Sequence, residues 1–401
     1  MKKKNILIHI FITAFCTIAL LSCFLTGAAY LISGGYMNAE YLKPWNKNYS
    51  DSFTDPRISL TAIGLLAPNN HNMQPWKIKL DPNDPMVFYL YADSSRLTKE
   101  VDPDARQIMI SQGTFLQYVS VAGEEKGWHV NITLFPDGEY QEDHLREEMN
   151  KKPVARLSLV KTAPKKTDLY QGVFLPDTNR NAYISAPLAQ SALTELNKIS
   201  APYKEILSLK TYQKQTDLKQ IGTFAVKSAE VEAGTERVMD ESNRIFRANE
   251  TAKNKYRYGY SVEGQGISGM KKLFVQSLVT LFPSMNSGKD ASQNFINYTK
   301  QSVDHTSAYI LIFSANNSRT AQVMSGMLYS DLVLTGHTLQ LAVQPLSQVL
   351  EEYPEMHNLY SEFYQKYASN GTTIQMLVRI GQPEKSTPLS MRRDVLDLMI
   401  K

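Results

Sequence analysis

The chain has 401 residues, of which 43% are hydrophobic and 20% are charged, with 18 prolines and 20 glycines. This composition is typical of a globular protein and excludes a collagen, a coiled coil and a wholly disordered chain. The net charge is +4, and Lys2, Lys3 and Lys4 supply three of these charges. Because the rest is close to neutral and has no cluster of Lys or Arg, we expect no nucleic-acid partner.

The N-terminal region carries a membrane signal. No Asp, Glu, Lys or Arg occurs from Asn5 to Ala39, and the stretch from Ile6 to Ile32 is apolar. About 20 apolar residues suffice for a helix to cross a bilayer. Lysines just before such a segment favour a cytoplasmic N-terminus. The sequence therefore predicts a single-pass membrane protein whose C-terminal body is extracytoplasmic.

An uncleaved anchor has two alternatives. A cleaved signal peptide has an apolar core of about 7–15 residues, shorter than this stretch. Leu20-Leu21-Ser22-Cys23 resembles a lipoprotein cleavage motif, but apolar residues continue beyond Cys23, which favours the anchor. Cys16 and Cys23 both lie in this segment, so the body can hold no disulfide, thiolate zinc site or cysteine nucleophile.

Helical and strand patterns alternate after the anchor. Residues 34–49, which include Pro44-Trp45, are predicted to form an interfacial linker because Tyr and Trp favour the headgroup zone. Asp55-Pro56 and Asp102-Pro103 are typical helix starts, with Asp as the N-cap. The pattern predicts a helix over 56–67, a hairpin of strands over 76–80 and 86–91, a helix over 103–127, and strands over 130–134 and 155–159.

A joint rich in Lys and Pro at 161–166 is the best internal boundary. It gives an anchor and linker over 1–38, a first half over 39–165 and a second half over 166–401. The two halves share an element order loosely, which suggests an old duplication, and together they indicate an α+β protein. In the second half the pattern predicts helices over 187–199, 217–247 and 321–342, strands over 205–209, 308–313 and 374–380, and an aromatic-rich segment over 256–282.

The densest polar motif is the segment Ala67–Trp76, where a predicted helix stops at a proline and amide side chains crowd before a strand. Such a loop offers neutral donors and acceptors that suit the heterocycle of a cofactor. A polar turn with self-capping asparagines explains the same residues equally well. The residues concerned are Pro68, Asn69, Asn70, His71, Asn72 and Gln74.

This loop resembles that of the nitroreductase-like flavoproteins, in particular their long single-chain, Acg-like branch. Further segments resemble other blocks of that branch in the same order, from about residue 62 to residue 398. Gln112 stands where that branch usually has Cys. The matching segments are Tyr91–Leu97, Asp102–Arg106, Ile110–Gly113, Thr178–Arg180, Ile374–Gly381 and Pro388–Arg393.

The resemblance implies an α+β fold in which two nitroreductase-like halves in one chain imitate the family's homodimer, with antiparallel or mixed sheets flanked by helices. FMN lies between the halves in such proteins. The resemblance assigns Pro68, Asn69, Asn70, Asn72 and Gln74 to the flavin ring, and Thr178, Asn179, Arg180 and Arg392 or Arg393 to the phosphate end.

The chain departs from that family at Leu175-Pro176-Asp177, where the family usually has arginines. A guanidinium gives a phosphate paired, charge-assisted hydrogen bonds, whereas a carboxylate repels it. If Asp177 points toward the phosphate, FMN binding is expected to be weaker than in the family.

Two functions follow from the resemblance. The first is an FMN-dependent oxidoreductase that reduces a small nitro or quinone-like electrophile. It needs no catalytic side chain, because the flavin ring itself carries hydride. The second is a flavin-binding or storage protein without turnover. The scattered histidines predict no metal site, and a monomer and a loose dimer both remain open.

Three further features of the sequence are an aromatic segment, a glycine motif and two glycines in a predicted helix. The aromatic residues of 256–282 form either a lid over the flavin or a surface helix with a buried aromatic face. Gly264–Gly269 fits a dinucleotide-binding pattern but follows no buried strand, which favours a flexible loop. Gly326 and Gly336 permit close helix packing, which we expect between the halves. The aromatic residues are Tyr256, Tyr258, Tyr260, Phe274 and Phe282.

Overall fold

The computed structural model describes residues 2–400. The chain begins with one long helix, α1 (Lys2–Ser33). Its segment His9–Ser33, with a mean hydropathy of 2.1, is long and apolar enough to cross a membrane, and no other helix within residues 2–400 passes this test. Near its C-terminal end α1 meets the body, where Ala29 and Ser33 are buried.

The remaining helices and strands are divided between two halves of the chain. The first half holds α2 (Pro56–Gly64), β1 (Trp76–Leu80), β2 (Val87–Ala92), α3 (Arg106–Lys126), β3 (Trp128–Leu134), α4 (Leu145–Lys151) and β4 (Ala155–Lys161). The second holds α5 (Asp168–Gly172), α6 (Gln190–Lys198), β5 (Leu207–Tyr212), α7 (Gln215–Gly234), α8 (Glu236–Arg244), α9 (Glu250–Tyr256), α10 (Gly269–Leu281), α11 (Gly288–Asp304), β6 (Ala308–Ser314), α12 (Arg319–Thr338), β7 (Ala342–Pro345), α13 (His357–Tyr367) and β8 (Thr373–Gly381).

Each half builds one four-stranded antiparallel sheet, and the two sheets have the same topology. The strand orders are β1-β2-β4-β3 and β5-β6-β8-β7. In each half a long helix, α3 or α12, connects the second strand to the third. The α+β class and the antiparallel sheets flanked by helices are thereby confirmed.

The two long helices pack against each other through glycines. A Cβ on Gly113 would lie 1.8 Å from the carbonyl oxygen of Val323, and one on Gly326 would lie 1.9 Å from that of Ile110. Each glycine thus faces the carbonyl three residues before the other. Such a reciprocal contact is typical of a two-fold interface. Gly326 therefore has the predicted role, whereas a Cβ on Gly336 meets no atom closer than 3.5 Å.

The C-terminal tail crosses to the first half. Val395 and Leu398 belong to the core that also contains the first sheet. Met399 pairs with Ile78 of β1, and the backbone N–H of Ile400 donates to the Ile78 carbonyl at 2.7 Å. The two halves are therefore interlocked, and a division of the chain at 165/166 stays a prediction.

The juxtamembrane prediction is wrong. Tyr41 and Trp45 are buried in the body instead of lying in an interfacial linker. The Trp45 indole N–H donates to the Ser390 carbonyl at 2.7 Å, and the Tyr41 hydroxyl donates to the Glu250 carboxylate at 2.7 Å. These buried partners outweigh the preference of Tyr and Trp for a headgroup zone.

Several element bounds also differ from the prediction. The helix expected from residue 103 begins at Arg106, because the Asp102 carboxylate accepts the N–H groups of Gln107 and Ile108 at 3.0 Å each. The charged helix over 217–247 is divided into α7 and α8 at Thr235. The helix over 321–342 ends at Thr338, and the following residues form β7.

Candidate functional site

A cavity of about 890 Å³ lies between the two halves. Its size is within the range of small-molecule sites in proteins. The first half lines it with the loop that follows α2 and with the start of α3, and the second half lines it with segments near residues 177–181, 259–268, 344–348 and 384–391. Another cavity, of about 500 Å³, is lined by second-half residues alone, and none of the predicted site residues reaches it.

The loop after α2 is held in an unusual backbone conformation. His71, Asn72 and Gln74 have φ values of 47°, 52° and 51°, in the left-handed region that costs most residues free energy. Asn72 fixes the loop, since its amide N–H₂ donates to the carbonyls of Gly259 at 2.9 Å and Met391 at 3.0 Å. Strain supported in this way is common at functional sites.

Six of the predicted site residues line the cavity, and four do not. Those that line it are Pro68, Asn69, Asn70, Asn72, Thr178 and Arg180. Those outside its lining are Gln74, Asn179, Arg392 and Arg393.

Gln74 and Arg393 bind each other instead of facing the cavity. The fully buried Gln74 amide donates to the Arg257 carbonyl at 2.8 Å and accepts the Arg393 backbone N–H at 2.8 Å. The Arg393 guanidinium donates to the Asp397 carbonyl at 2.7 Å. Burial and the nearby Arg96 charge lower the pKa of Arg393 to about 10. Both side chains therefore hold the C-terminal tail against the loop.

Arg392 is also committed to the protein. Its fully buried guanidinium donates to the Leu66 carbonyl at 2.8 Å, to Asn72 Oδ1 at 3.0 Å and to Asp177 Oδ2 at 3.2 Å. Burial lowers its pKa from the ordinary value. Asp177, which stands where the family has arginine, is thus the counter-ion of a buried guanidinium.

Arg180 is the predicted cation that faces the cavity. Its side chain is exposed there, and its guanidinium donates to the Gly264 carbonyl at 3.2 Å. The neighbouring Asn179 is buried, and its amide donates to the Lys385 carbonyl at 2.8 Å. Thr178 and Arg180 are therefore presented to the cavity while Asn179 anchors the segment between them.

His71 lines the cavity as a neutral imidazole. Enclosure by protein atoms, together with the charge of Arg180, lowers its pKa to about 4. At neutral pH one ring nitrogen is a donor and the other an acceptor. His71 is therefore a neutral hydrogen-bonding group of the cavity wall, as the sequence predicted for this loop, and not a charged one.

The sequence interpretation missed several charged or acidic residues of the cavity wall, and four of them bear on its chemistry. Lys271 and Lys385 are exposed cations on its rim. Glu232 and Glu351 are buried, and each has a carboxyl oxygen without a hydrogen-bond partner. Burial raises the pKa of Glu232 to about 8, and burial together with the Glu232 charge raises that of Glu351. These residues lie far apart in the chain, so no local motif could have identified them.

The aromatic segment and the glycine motif have different roles. Tyr260 and the loop Gly264–Ser268 line the cavity. Phe274 and Phe282 are exposed on α10 and at its end, so they do not stack over the cavity, and no buried aromatic face is formed by them. Both interpretations of the full aromatic set are therefore wrong. Among residues 2–400 no group of three or more His, Cys, Asp or Glu side chains is placed to hold a metal ion.

Comparison with known sequences finds relatives among proteins named as nitroreductases. No family model matches the chain. The chain is 32% identical over 92 residues to Rv3131 of Mycobacterium tuberculosis, which is provisionally named an NAD(P)H nitroreductase, covering 23% of this chain and 25% of that protein. It is also 32% identical over 75 residues to the uncharacterized Rv3127 of the same organism, covering 18% and 22%. The matches thus span about a quarter of the relatives' length.

Two solved structures are similar to parts of the chain. A nitroreductase-like family protein from Bacillus cereus aligns with a TM-score of 0.31 and 11% identity, covering 59% of this chain and 97% of that one. A protein from Anabaena variabilis, provisionally titled a nitroreductase, aligns with a TM-score of 0.39 and 10% identity, covering 80% and 82%.

Proposed function

We propose that the chain is an FMN-binding, nitroreductase-like oxidoreductase that is anchored in a membrane and reduces small nitro or quinone-like electrophiles. The observation that carries the proposal is the cavity between the halves, because the loop resembling the family's flavin loop and the Thr178–Arg180 segment line the same space. The similarity to a protein provisionally named a nitroreductase agrees with it.

The residues of the cavity fit a flavin phosphate in charge. Arg180, Lys271 and Lys385 are cations on its wall. Of the acidic groups there, Asp177 is paired with Arg392, Glu263 is paired with Lys253, and Glu384 is exposed beside Lys385 in the chain, which leaves more cations than free carboxylates. Glu232, with a pKa of about 8, is mostly protonated at neutral pH. The cavity therefore has a net positive side, which suits a doubly charged phosphate.

We assign the ends of the site accordingly. Pro68, Asn69, Asn70 and Asn72 surround the flavin ring with neutral polar groups, and Thr178 and Arg180 hold the phosphate. Gln74, Asn179, Arg392 and Arg393 keep these segments in place through the hydrogen bonds described above. Bound flavin supplies hydride acceptance and donation.

The chain's own contribution beyond binding concerns protons. Reduction of a nitro group or a quinone consumes protons as well as electrons. The carboxyl group of Glu232 lines the cavity, is buried and holds its proton at neutral pH. We assign to it the storage of a proton within the site, a role that a raised pKa suits.

We further propose that the two halves imitate a dimer, and that α1 is a single-pass anchor with the body outside the cytoplasm. The identical strand orders and the reciprocal contact of Gly113 and Gly326 support the first point. The apolar segment His9–Ser33 and the preceding lysines support the second. Because nicotinamide cofactors are scarce outside the cytoplasm, we expect another electron donor.

The test is flavin binding and turnover by the full chain in detergent or lipid discs. We expect added FMN to acquire the absorption spectrum of a protein-bound flavin. After anaerobic reduction, a nitroaromatic or quinone acceptor should restore the oxidised spectrum faster than it does with free reduced FMN. Binding without such acceleration would assign the chain to flavin storage, and absence of binding would refute the proposal.

A further inference from the structure

A row of apolar side chains is exposed on α10 and on the turn that follows it. Four of them recur every three or four residues within α10, which places these four on one face of the helix, and the other two lie in the turn. Each is more than a third exposed, although a surface helix normally turns such residues toward a core. They are Met270, Phe274, Leu278, Leu281, Phe282 and Met285.

This helix lies directly against the proposed membrane anchor. The Ser277 hydroxyl donates to the Ala29 carbonyl of α1 at 2.8 Å, and Leu273 packs beside Gly35. The two helices therefore run in opposite directions. Because a helix rises about 1.5 Å per residue, Leu281 lies about 6 Å further along α1 than Ser277, toward the middle of the apolar segment.

The charges of α10 follow the same direction. Lys271 and Lys272 lie at the end nearest the body, and Lys272 pairs with Glu250 at 3.0 Å. From residue 273 to residue 287 there is no charged side chain. A helix whose cations lie at the end nearest the body, and whose other end is uncharged and apolar, suits partial insertion into a lipid surface.

From these observations we propose that α10 and the turn after it, residues 269–287, form a second membrane-contacting element that enters the outer leaflet beside α1. The occupant of the apolar face is lipid, because the face continues the apolar surface of α1. The apolar stretch Ile6–Ile32 is about 40 Å long as a helix, longer than the roughly 30 Å hydrocarbon core, so its C-terminal turns reach the headgroups.

The element is also part of the cavity wall. Lys271 from its beginning and Met285 and Asn286 from its end line the cavity. Contact with the membrane would therefore fix one wall of the proposed flavin site close to the lipid surface. The inference rests on the proposed anchoring of α1 but not on flavin binding.

The test measures the lipid exposure of single labelled positions in the full chain, reconstituted in lipid discs with one chain per disc. Cys16→Ser and Cys23→Ser provide a background without cysteine. A nitroxide is then attached through Phe282→Cys, with Leu278→Cys, an exposed position on α10 outside the cavity lining, as a second position. Val160→Cys is the matched control, because Val160 is an apolar residue that is 51% exposed on β4.

We expect the labels at 282 and 278 to collide several-fold more often with dissolved oxygen, relative to a water-soluble nickel complex, than the label at 160. Equal ratios at the three positions would overturn the proposal. If the labels are protected from the nickel complex only when two chains share a disc, the proposal is overturned as well, because a second copy of the chain then covers the apolar face. A label at Leu21→Cys separates failure of this inference from failure of the proposed anchor. Lipid exposure at 21 but not at 282 would overturn the inference about α10 and leave the anchoring of α1 intact.

Discussion

The two halves share a strand order but differ in what covers their sheets. In the first half the central strand β2, equivalent to β6, has the half-buried Tyr89 and Tyr91 on one face, and the edge strand β3 exposes residues on that face, which therefore meets solvent. In the second half every residue of β6 is buried. Its alternate side chains belong to two separate cores, one of which includes residues of α7 and α13. The same topology is thus stable with one face covered or with both.

The difference originates in two connections, one that carries α13 between β7 and β8 and one that joins the first two strands of each half. The turn between β1 and β2 covers only residues 81–86, whereas residues 213–307 lie between β5 and β6 and carry α7 to α11. That insertion supplies Glu232, Tyr260, the loop 264–268 and Lys271 to the cavity. A shared frame therefore positions the cavity, and the insertion in one half adds acidic, basic and aromatic groups to those of the loop after α2 and the Thr178–Arg180 segment. Four experiments test the separate contributions of the shared frame and of the residues around the cavity.

The largest expected effect concerns the contact between α3 and α12, the long helices that join the second and third strands of the two halves. Gly113→Val and Gly326→Val each place side-chain atoms onto a backbone carbonyl of the facing helix. Overpacking of a core commonly costs about 1–3 kcal/mol, and more where backbone must move. We expect both variants to unfold at markedly lower denaturant concentration and by similar amounts. Gly336→Ala on α12 is the control, since its Cβ has room and should be neutral or stabilising.

The next effect concerns the buried ion pair of Asp177 with Arg392 in the C-terminal tail. Asp177→Asn leaves the Arg392 guanidinium buried with a neutral partner. Removing one member of such a pair costs about 3–5 kcal/mol, and the partial exposure of Asp177 favours the lower end. Chemical unfolding of the variant should show this loss, while Asp240→Asn, exposed on α8, should show none. Tighter FMN binding in the variant would indicate that Asp177 faces the phosphate instead.

A third effect concerns pH and belongs to the second half alone. An acid whose folded pKa is raised binds its proton more tightly in the folded state, so stability is greatest at low pH and falls as pH rises. For Glu232 the fall should extend from about pH 5 to about pH 8, given a pKa shift from 4.5 to about 8. The slope is at most about 1.4 kcal/mol per pH unit for one group.

In Glu232→Gln the free energy of unfolding should decline less with pH across this range than it does in the wild type. Glu230→Gln is the matched control, because Glu230 lies on the same helix with its side chain 49% exposed. If the wild-type slope survives in Glu232→Gln, the decline belongs to other groups, among them Glu351.

The smallest effect sharpens the assignment of the phosphate end. Lys385→Ala removes an exposed cation from the cavity rim. Exposed charge pairs contribute about 0.2–1 kcal/mol, and salt screens them. We expect FMN affinity to fall about two- to five-fold at low salt and hardly at all at high salt. Lys204→Ala, at an exposed position outside the cavity, should have no effect.

The sequence predicted much of the fold because local patterns determine it. Alternating apolar residues located β1, β3 and β4, and the Asp55 N-cap located α2, where its carboxylate accepts the Arg57 N–H at 2.9 Å. It missed β7, a strand of four residues, because so short a segment shows no clear period.

The site was predictable only where the chain itself forms a local motif. The loop after α2 was identified because its polar residues are consecutive. Gln74 and Arg392 were assigned to the flavin, yet their hydrogen bonds go to protein groups that distant segments provide. The cavity residues Glu232 and Lys385 could not be found for the same reason, because only the tertiary fold brings them to the loop.

The most direct test of a flavin site between the halves is the affinity of the full chain for FMN and for riboflavin, with Arg180 intact and as Arg180→Ala. Hydrogen bonds to charged groups contribute about 1.5–3 kcal/mol, which corresponds to roughly 10- to 150-fold in affinity. We predict a loss of this size for FMN and none for riboflavin, which lacks the phosphate, and no change for either ligand in Arg146→Ala, an exposed position on α4. Equal losses for both ligands, or no FMN binding by the parent chain, would contradict a phosphate-binding role of Arg180 and the placement of the flavin in this cavity.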